Sequence, residues 1–333
     1  MAVFCTLFNS GYLDKGLVMI DSLKKNSPDS IIYVFAFDDK CYEVLKDLNY
    51  DNVRPISLKD FESERLLKIK ASRSAKTYCW TCTPFTVKYV FDTFNENCCT
   101  YIDADMLFYS DPADSIKELI ETGKKVGIVE HRFGKGSVQE KQILIAGKYC
   151  VEFNTFVNCP EGNNVLNWWA DKCEDCCSDD EKLAAEGKFG DQMYLNDWTT
   201  RFDCVLVHDN HGLGMAPWNV YRYRKIPGEN GSVKFRDIQE GGKYELCFYH
   251  FHGIDYYDDN SVNINVFGRY GKPEKALVYG LYKDYLNKIK IKRDFLKDKY
   301  NISFNKGNPS PKKSFAKMLH IRTFIKSCKD TLK

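Results

Sequence analysis

The chain has no run of roughly 20 uninterrupted apolar residues, the length a bilayer-crossing helix requires, so no membrane-spanning helix is expected. It has little excess charge of either sign: 48 Lys and Arg stand against 46 Asp and Glu, a net of +2 over 333 residues. That balance excludes the overall attraction to nucleic acid of a strongly basic protein. No basic segment, apolar stretch and cleavage site precede the first strand-like run at residues 2–8, so no secretory leader is expected. The location that follows is cytoplasmic, where the 14 cysteines should be reduced and act mostly as small buried hydrophobes. Two Cys-x-x-Cys spacings, Cys79/Cys82 and Cys173/Cys176, would bind zinc only if both pairs converged or a histidine joined them. They lie far apart in sequence, and no zinc site is expected. Internal repeats and low-complexity tracts are absent as well.

What is present is alternation. Residues 2–8, 31–37 and 53–56 read as buried strands. Helical spacing follows at Leu13, Leu17 and Ile20, then over 41–48. A helix predicted over 84–94 feeds a strand that ends at Asp103. Such alternation implies a mostly parallel α/β sheet with helices on both faces. Ligands bind beyond the carboxyl ends of the strands in such sheets. Asn9–Tyr12, Asp38 and Asp103–Asp105 all fall at such ends.

The second half is less regular, with strands expected at 126–129, 150–157, 205–208 and 246–251 and a helix over 165–177. Residues 221–243, rich in Gly and charge, are predicted as a loop or lid. A basic helical segment runs from Pro273 to about Lys299, and 305–311 reads as a linker. We divide the chain into a domain at 1–268, with halves 1–125 and 126–268, and a C-terminal extension at 269–333. Within 312–333, seven Lys and Arg are interleaved with Phe315, Leu319 and Phe324. That pattern fits a helix lying on an anionic membrane face, or equally a solvated terminal helix.

Residues 101–111 read Y-I-D-A-D-M-L-F-Y-S-D. In an extended chain Asp103 and Asp105 point to one face. Paired carboxylates at the end of a buried strand suit a divalent cation that also carries phosphate oxygens. A third ligand is wanted, and His250, closing an apolar strand, is preferred to His252 two residues on. An imidazole beside two carboxylates favours Mn²⁺ or a related first-row ion, with Mg²⁺ the alternative. His208 and His211 are expected to be structural or to face an acceptor.

The ordered set Asn9 and Tyr12, Asp103-Ala104-Asp105, Phe153-Asn154-Thr155, Gly190-Asp191-Gln192 and His250-Phe251-His252-Gly253 resembles glycosyltransferase family 8, retaining enzymes of the GT-A (Rossmann-like) fold. The resemblance covers about residues 2–255. It implies that Asp103, Asp105 and His250 hold Mn²⁺ on the diphosphate of a UDP-sugar, and that Thr6, Phe8, Asn9 and Tyr12 line the uridine pocket. It further implies that Asn154 touches the donor sugar, Asp191 bonds its hydroxyls, and Gln192 faces the reacting carbon. Two departures stand out. The family's lysine after His-x-x-Gly is replaced by Ile254-Asp255-Tyr256, and its arginine on the helix before the metal motif by Cys82-Thr83-Pro84-Phe85. Arg73, Lys76 and Arg132 are the candidate replacements, each with a solvated surface charge as its alternative.

The expectation is therefore a metal-dependent hexosyltransferase acting on a glycan or lipid-linked acceptor, such as lipopolysaccharide or capsule, at the cytosolic face of a membrane. Trp218, in a Gly/Pro-rich run, is the candidate acceptor contact. Two rivals are a nucleotidyltransferase that makes the activated sugar and a sugar-binding protein without turnover. The first would want a glycine-rich phosphate loop after the first strand, which Asn9-Ser10-Gly11-Tyr12 matches poorly.

Overall fold

The computed structural model describes residues 1–229, 231–257, 261–268 and 270–304. The segments 305–311 and 312–333, predicted as linker and membrane-facing helix, lie outside the described residues. The first half runs β1 (Val3–Phe8), α1 (Leu13–Asn26), β2 (Ile31–Ala36), α2 (Asp39–Leu48), β3 (Val53–Ser57), α3 (Leu58–Phe61), α4 (Glu64–Lys70) and α5 (Ala75–Phe94). Then come β4 (Cys98–Ile102), β5 (Met106–Phe108), α6 (Ala113–Glu121), β6 (Val126–Glu130), α7 (Ser137–Ala146), β7 (Tyr149–Val157), α8 (Pro160–Asp175), α9 (Trp198–Arg201) and β8 (Val205–Val207). The chain continues through β9 (Tyr223–Ile226), β10 (Lys234–Asp237), β11 (Lys243–Glu245), β12 (Phe248–His250), β13 (Asp255–Tyr256), β14 (Val262–Asn263) and α10 (Lys275–Tyr300).

The expected mostly parallel α/β sheet is found. Its seven strands are ordered β3-β2-β1-β4-β7-β6-β8, and only β7 runs against its neighbours. All six residues of β1 are buried, as a central strand covered on both faces requires. Strand alternation sorts its side chains. Cys5, Leu7, Tyr33 and Phe35 join the core against α5 and α8, while Phe4, Phe8, Ile32 and Val34 join the core under α1 and α2. Gly16 lets α1 come down onto the sheet, since a Cβ there would sit 2.5 Å from the Phe8 ring. Asp38 caps α2 through the Cys41 amide (2.7 Å) and also accepts from the amide and hydroxyl of Ser10 (2.9 and 2.7 Å). One carboxylate thus anchors both the second helix and the turn after β1.

Two element expectations are corrected. The helix predicted from Pro84 begins nine residues earlier at Ala75, where the Ser74 hydroxyl accepts from the Thr77 amide. Pro84 lies inside it, and only the one backbone bond that proline cannot donate is lost. The predicted loop at 221–243 includes the short antiparallel strands β9 and β10 and the first residue of β11, which form a small sheet. The signal was alternation, with Phe235 and Asp237 buried and Arg236 exposed between them, while glycines 241 and 242 make the turn at positive φ.

Helix α10 is held to α1 by an ion pair. Arg293 Nε lies 2.6 Å from Asp14 Oδ2, and the Asp14 side chain is fully buried. Phe251 and Tyr285 stack with ring centroids 3.8 Å apart, extending the contact to the chain that follows β12. Among the described residues, no helix is long and apolar enough to cross a membrane.

Candidate active site

Strand register builds the site. β4 ends at Ile102, and Asp103-Ala104-Asp105 turn the chain into β5. β5 pairs antiparallel with β12, so His250 stands opposite Met106, and the Phe251 amide donates to the Asp105 carbonyl (2.9 Å). A histidine from far down the sequence is thereby placed next to the aspartate turn. β4 also pairs with β7, setting Asn154 opposite Tyr101, and the Asp103 amide donates to the Glu152 carbonyl (3.2 Å). Residues 152 and 154 share one face of β7 by the two-residue period.

Three acidic groups and one imidazole meet here. His250 Nε2 lies 2.9 Å from Asp105 Oδ1 and 3.7 Å from Asp103 Oδ2. Its other nitrogen, Nδ1, lies 2.5 Å from Glu152 Oε2. Burial opposes a charged imidazole, but Asp105 and Glu152 outweigh it and hold His250 protonated well above the usual range. Burial also opposes ionisation of Asp105, yet the His250 charge and hydrogen bond keep it below the usual carboxylate range. Asp103 goes the other way. Burial pushes it up to about 6, His250 pulling down and Asp105 pushing up. Its Oδ1 accepts from the Tyr101 hydroxyl at 2.9 Å.

The donor set fits a divalent cation. Asp105, His250 and His252 can each bring one ligand atom within 4.8 Å of the others, and Asp103 stands at the same imidazole. Glu152 holds Nδ1, which leaves Nε2 for a metal, the arrangement by which carboxylates orient metal-binding histidines. Gly214, at φ +88°, gives Glu152 its room, since a Cβ there would sit 2.9 Å from Oε1.

The remaining predicted residues divide. Asp191 is buried within reach of the Asp103 charge. Burial pushes it up to about 7, a Thr83 hydrogen bond opposing and Asp103 adding to the rise. Asn154 is fully buried, yet neither amide atom has a hydrogen-bond partner within the protein. Buried amides are almost always paired, so such an orphan marks where a ligand could bind. Gln192 follows Asp191 and is half-buried. Tyr12 is 45 % exposed, and Asp105, burial and Asp103 all raise its hydroxyl. Asn9 caps the turn after β1 through the Gly11 amide (3.1 Å). Thr6 is fully buried with an unpartnered hydroxyl, and Phe8 belongs to the core against Gly16. Trp218 stands edge-on to His250 and His252, with centroids 5.3 and 5.8 Å away, and its indole N–H is unpartnered.

The three candidate cations are otherwise engaged. Arg132 donates to the carbonyls of Leu213 (2.5 Å) and His208 (2.6 Å), pinning the 208–213 loop. Arg73 donates to the Glu174 carbonyl (2.7 Å), and Lys76 pairs with Asp179 (3.2 Å). His208 pairs with Glu118 and His211 with Asp237, at 2.9 and 3.2 Å. The two Cys-x-x-Cys segments face each other across α5 and α8, where burial pushes the Cys82 and Cys173 thiols well up.

Sequence reasoning missed Glu152, which had a visible signal, being the lone charge in an apolar strand covered on both faces.

No family model matches the chain. The uncharacterized protein YfnF of Bacillus subtilis (strain 168) is 29 % identical over 256 residues, covering 76 % of this chain and 81 % of its own. The uncharacterized protein YfnD of the same organism is 26 % identical over 289 residues, covering 86 % and 88 %. Among solved structures, the galactosyltransferase LgtC in complex with donor and acceptor sugar analogues overlays at a TM-score of 0.49. It is 12 % identical, with 87 % of this chain and 95 % of that chain covered.

Proposed function

We propose that this protein is a divalent-metal-dependent glycosyltransferase of the GT-A type, moving a hexose from a UDP-sugar to a glycan or lipid-linked acceptor. The observation that carries the proposal is the convergence of Asp103 and Asp105 on Nε2 of His250 at the strand ends, with the orphaned amide of Asn154 on the neighbouring strand. Asp103, Asp105 and His250, with His252 adjacent, would hold Mn²⁺ or Mg²⁺. The ion would neutralise charge developing on a leaving diphosphate. Glu152 keeps the imidazole oriented. Asn154 has two free hydrogen-bonding atoms for a sugar hydroxyl and its ring oxygen. Asp191, ionised above about pH 7, accepts from sugar hydroxyls, and Gln192 faces the reacting carbon. Tyr12 covers the nucleotide end beside Asn9. Retention of anomeric configuration and an envelope polysaccharide acceptor belong to the same proposal, on the strength of the family resemblance.

Incubating the full chain with UDP-sugars and Mn²⁺ tests it. Metal-dependent release of UDP supports the transferase. Pyrophosphate release from UTP and a sugar phosphate would indicate a nucleotidyltransferase instead. Binding without turnover, with every donor and a broad acceptor panel, would leave a sugar-binding protein.

A further inference from the structure

The site as described is too negative for its proposed substrate. Asp103, Asp105 and Glu152 bring three carboxylates around His250, whose imidazole is neutral when it ligates a metal. A divalent ion cancels two charges, and a nucleoside diphosphate ester adds two more. A cation facing the phosphates would offset this charge; Arg73 and Lys76 are taken up by the Glu174 carbonyl and Asp179, and Arg132, on the Glu152 side of the site, donates to the carbonyls of Leu213 and His208.

Among the described residues, a further cation stands at the strand ends. Lys15 lies in the first turn of α1, and its side chain is only 12 % exposed. Its ammonium lies 4.1 Å from the centre of the Tyr12 ring and 5.7 Å from that of Tyr256. Lys15 follows β1, the strand paired with β4, and so stands at the same strand ends as the Asp103–Asp105 turn. Among the described residues the carboxylate paired with it is Asp14, at 3.7 Å, too far for a hydrogen bond. Asp14 is already satisfied by Arg293 of α10 at 2.6 Å, and the Arg293 guanidinium lies 3.9 Å over the other aromatic wall, Tyr256. Lys15 is thus held in place by two rings but not consumed by its acid. Aromatic faces attract a cation without filling its hydrogen-bond donors, so among the described residues its N–H bonds remain available for phosphate oxygens. The hydroxyls of Tyr256 and Tyr285 beside this cluster are buried and unpartnered, and Tyr285 is fully buried.

We infer that Lys15 is the cation that grips the diphosphate of the donor, positioned by Tyr12 and Tyr256 and kept free by the Arg293–Asp14 pair. With that assignment α10 becomes a support of the donor site. The inference rests on the glycosyltransferase reading above.

Titration calorimetry of the full chain with UDP and with uridine, both in Mn²⁺, tests it on the parent, Lys15→Met and Lys15→Arg. A charged hydrogen bond to phosphate predicts UDP binding about 10- to 100-fold weaker in Lys15→Met, with uridine binding unchanged and Lys15→Arg largely restored. Equal UDP affinity in parent and Lys15→Met overturns the assignment while leaving the glycosyltransferase reading intact. Equal losses for UDP and uridine, with a lowered melting temperature, assign Lys15 a packing role and also overturn it. A parent that binds no nucleoside diphosphate from a panel in Mn²⁺ defeats the functional reading, and this inference with it.

Discussion

Replacing Asp103 by Asn should stabilise the protein without metal and weaken it with metal. The Asp103 carboxyl rises from its ordinary 3.8 to about 6 through burial, the neighbouring Asp105 adding to the rise against the pull of His250. The sign follows from proton counting. Between pH 4 and pH 6 the unfolded chain has released this proton while the fold retains it, so the metal-free fold loses stability as pH rises across that window. Two units at about 1.4 kcal/mol each bound the loss near 3 kcal/mol. The side chain is 30 % exposed, and solvent screening reduces this to about 1–2 kcal/mol. Asn keeps the shape and removes the charge, so at pH 8 it should recover that amount and raise the melting temperature by a few degrees. The parent should gain about 2.7 kcal/mol when Mn²⁺ reaches a hundred times its dissociation constant, and the variant far less. Urea unfolding at pH 8, with and without Mn²⁺, reads both effects, and the order of stability should invert between the two conditions. A variant less stable than the parent without metal, or equal gains from Mn²⁺, would refute the reasoning.

Three further outcomes are expected. Glu152→Gln should weaken Mn²⁺ binding about 10- to 100-fold in calorimetry with the fold intact, because Nδ1 of His250 loses its carboxylate; unchanged affinity would remove Glu152 from the site. UDP release should climb with pH through about 7 as Asp191 ionises, and Asp191→Asn should both slow it and flatten that limb; a variant with the parent's profile would contradict the role. Arg293→Met leaves Asp14 buried with only the distant Lys15, and should cost about 3 kcal/mol in chemical denaturation. The double change Asp14→Asn with Arg293→Met should recover part of that loss, and strictly additive losses would show the pair is not coupled.

The sheet was legible because its strands are continuous apolar runs and its helices carry 3.6-residue spacing. The aspartate turn was legible for the same reason, since a charged pair directly after a buried strand has few structural uses. His250 could be chosen by its place at the end of an apolar strand, but its distance from Asp105 depends on the β5–β12 register, which no local pattern encodes. Glu152 needed the β4–β7 pairing to become a neighbour of Asp103. Lys15 is one of many lysines on amphipathic helices, and only the packing of α10 on α1 separates it from a solvated one. The sheet β9-β10-β11 was hidden because its strands are short and its turns dominate the composition.

The most direct measurement is anomalous diffraction at a wavelength sensitive to manganese, from a crystal of the full chain soaked in Mn²⁺ and UDP. The peak should lie between the carboxylates of Asp103 and Asp105 and Nε2 of His250, touching the UDP phosphates, with Nδ1 of His250 still on Glu152. UDP bound with no manganese peak at that corner, or with His250 Nε2 still turned onto Asp105 alone, would contradict the account.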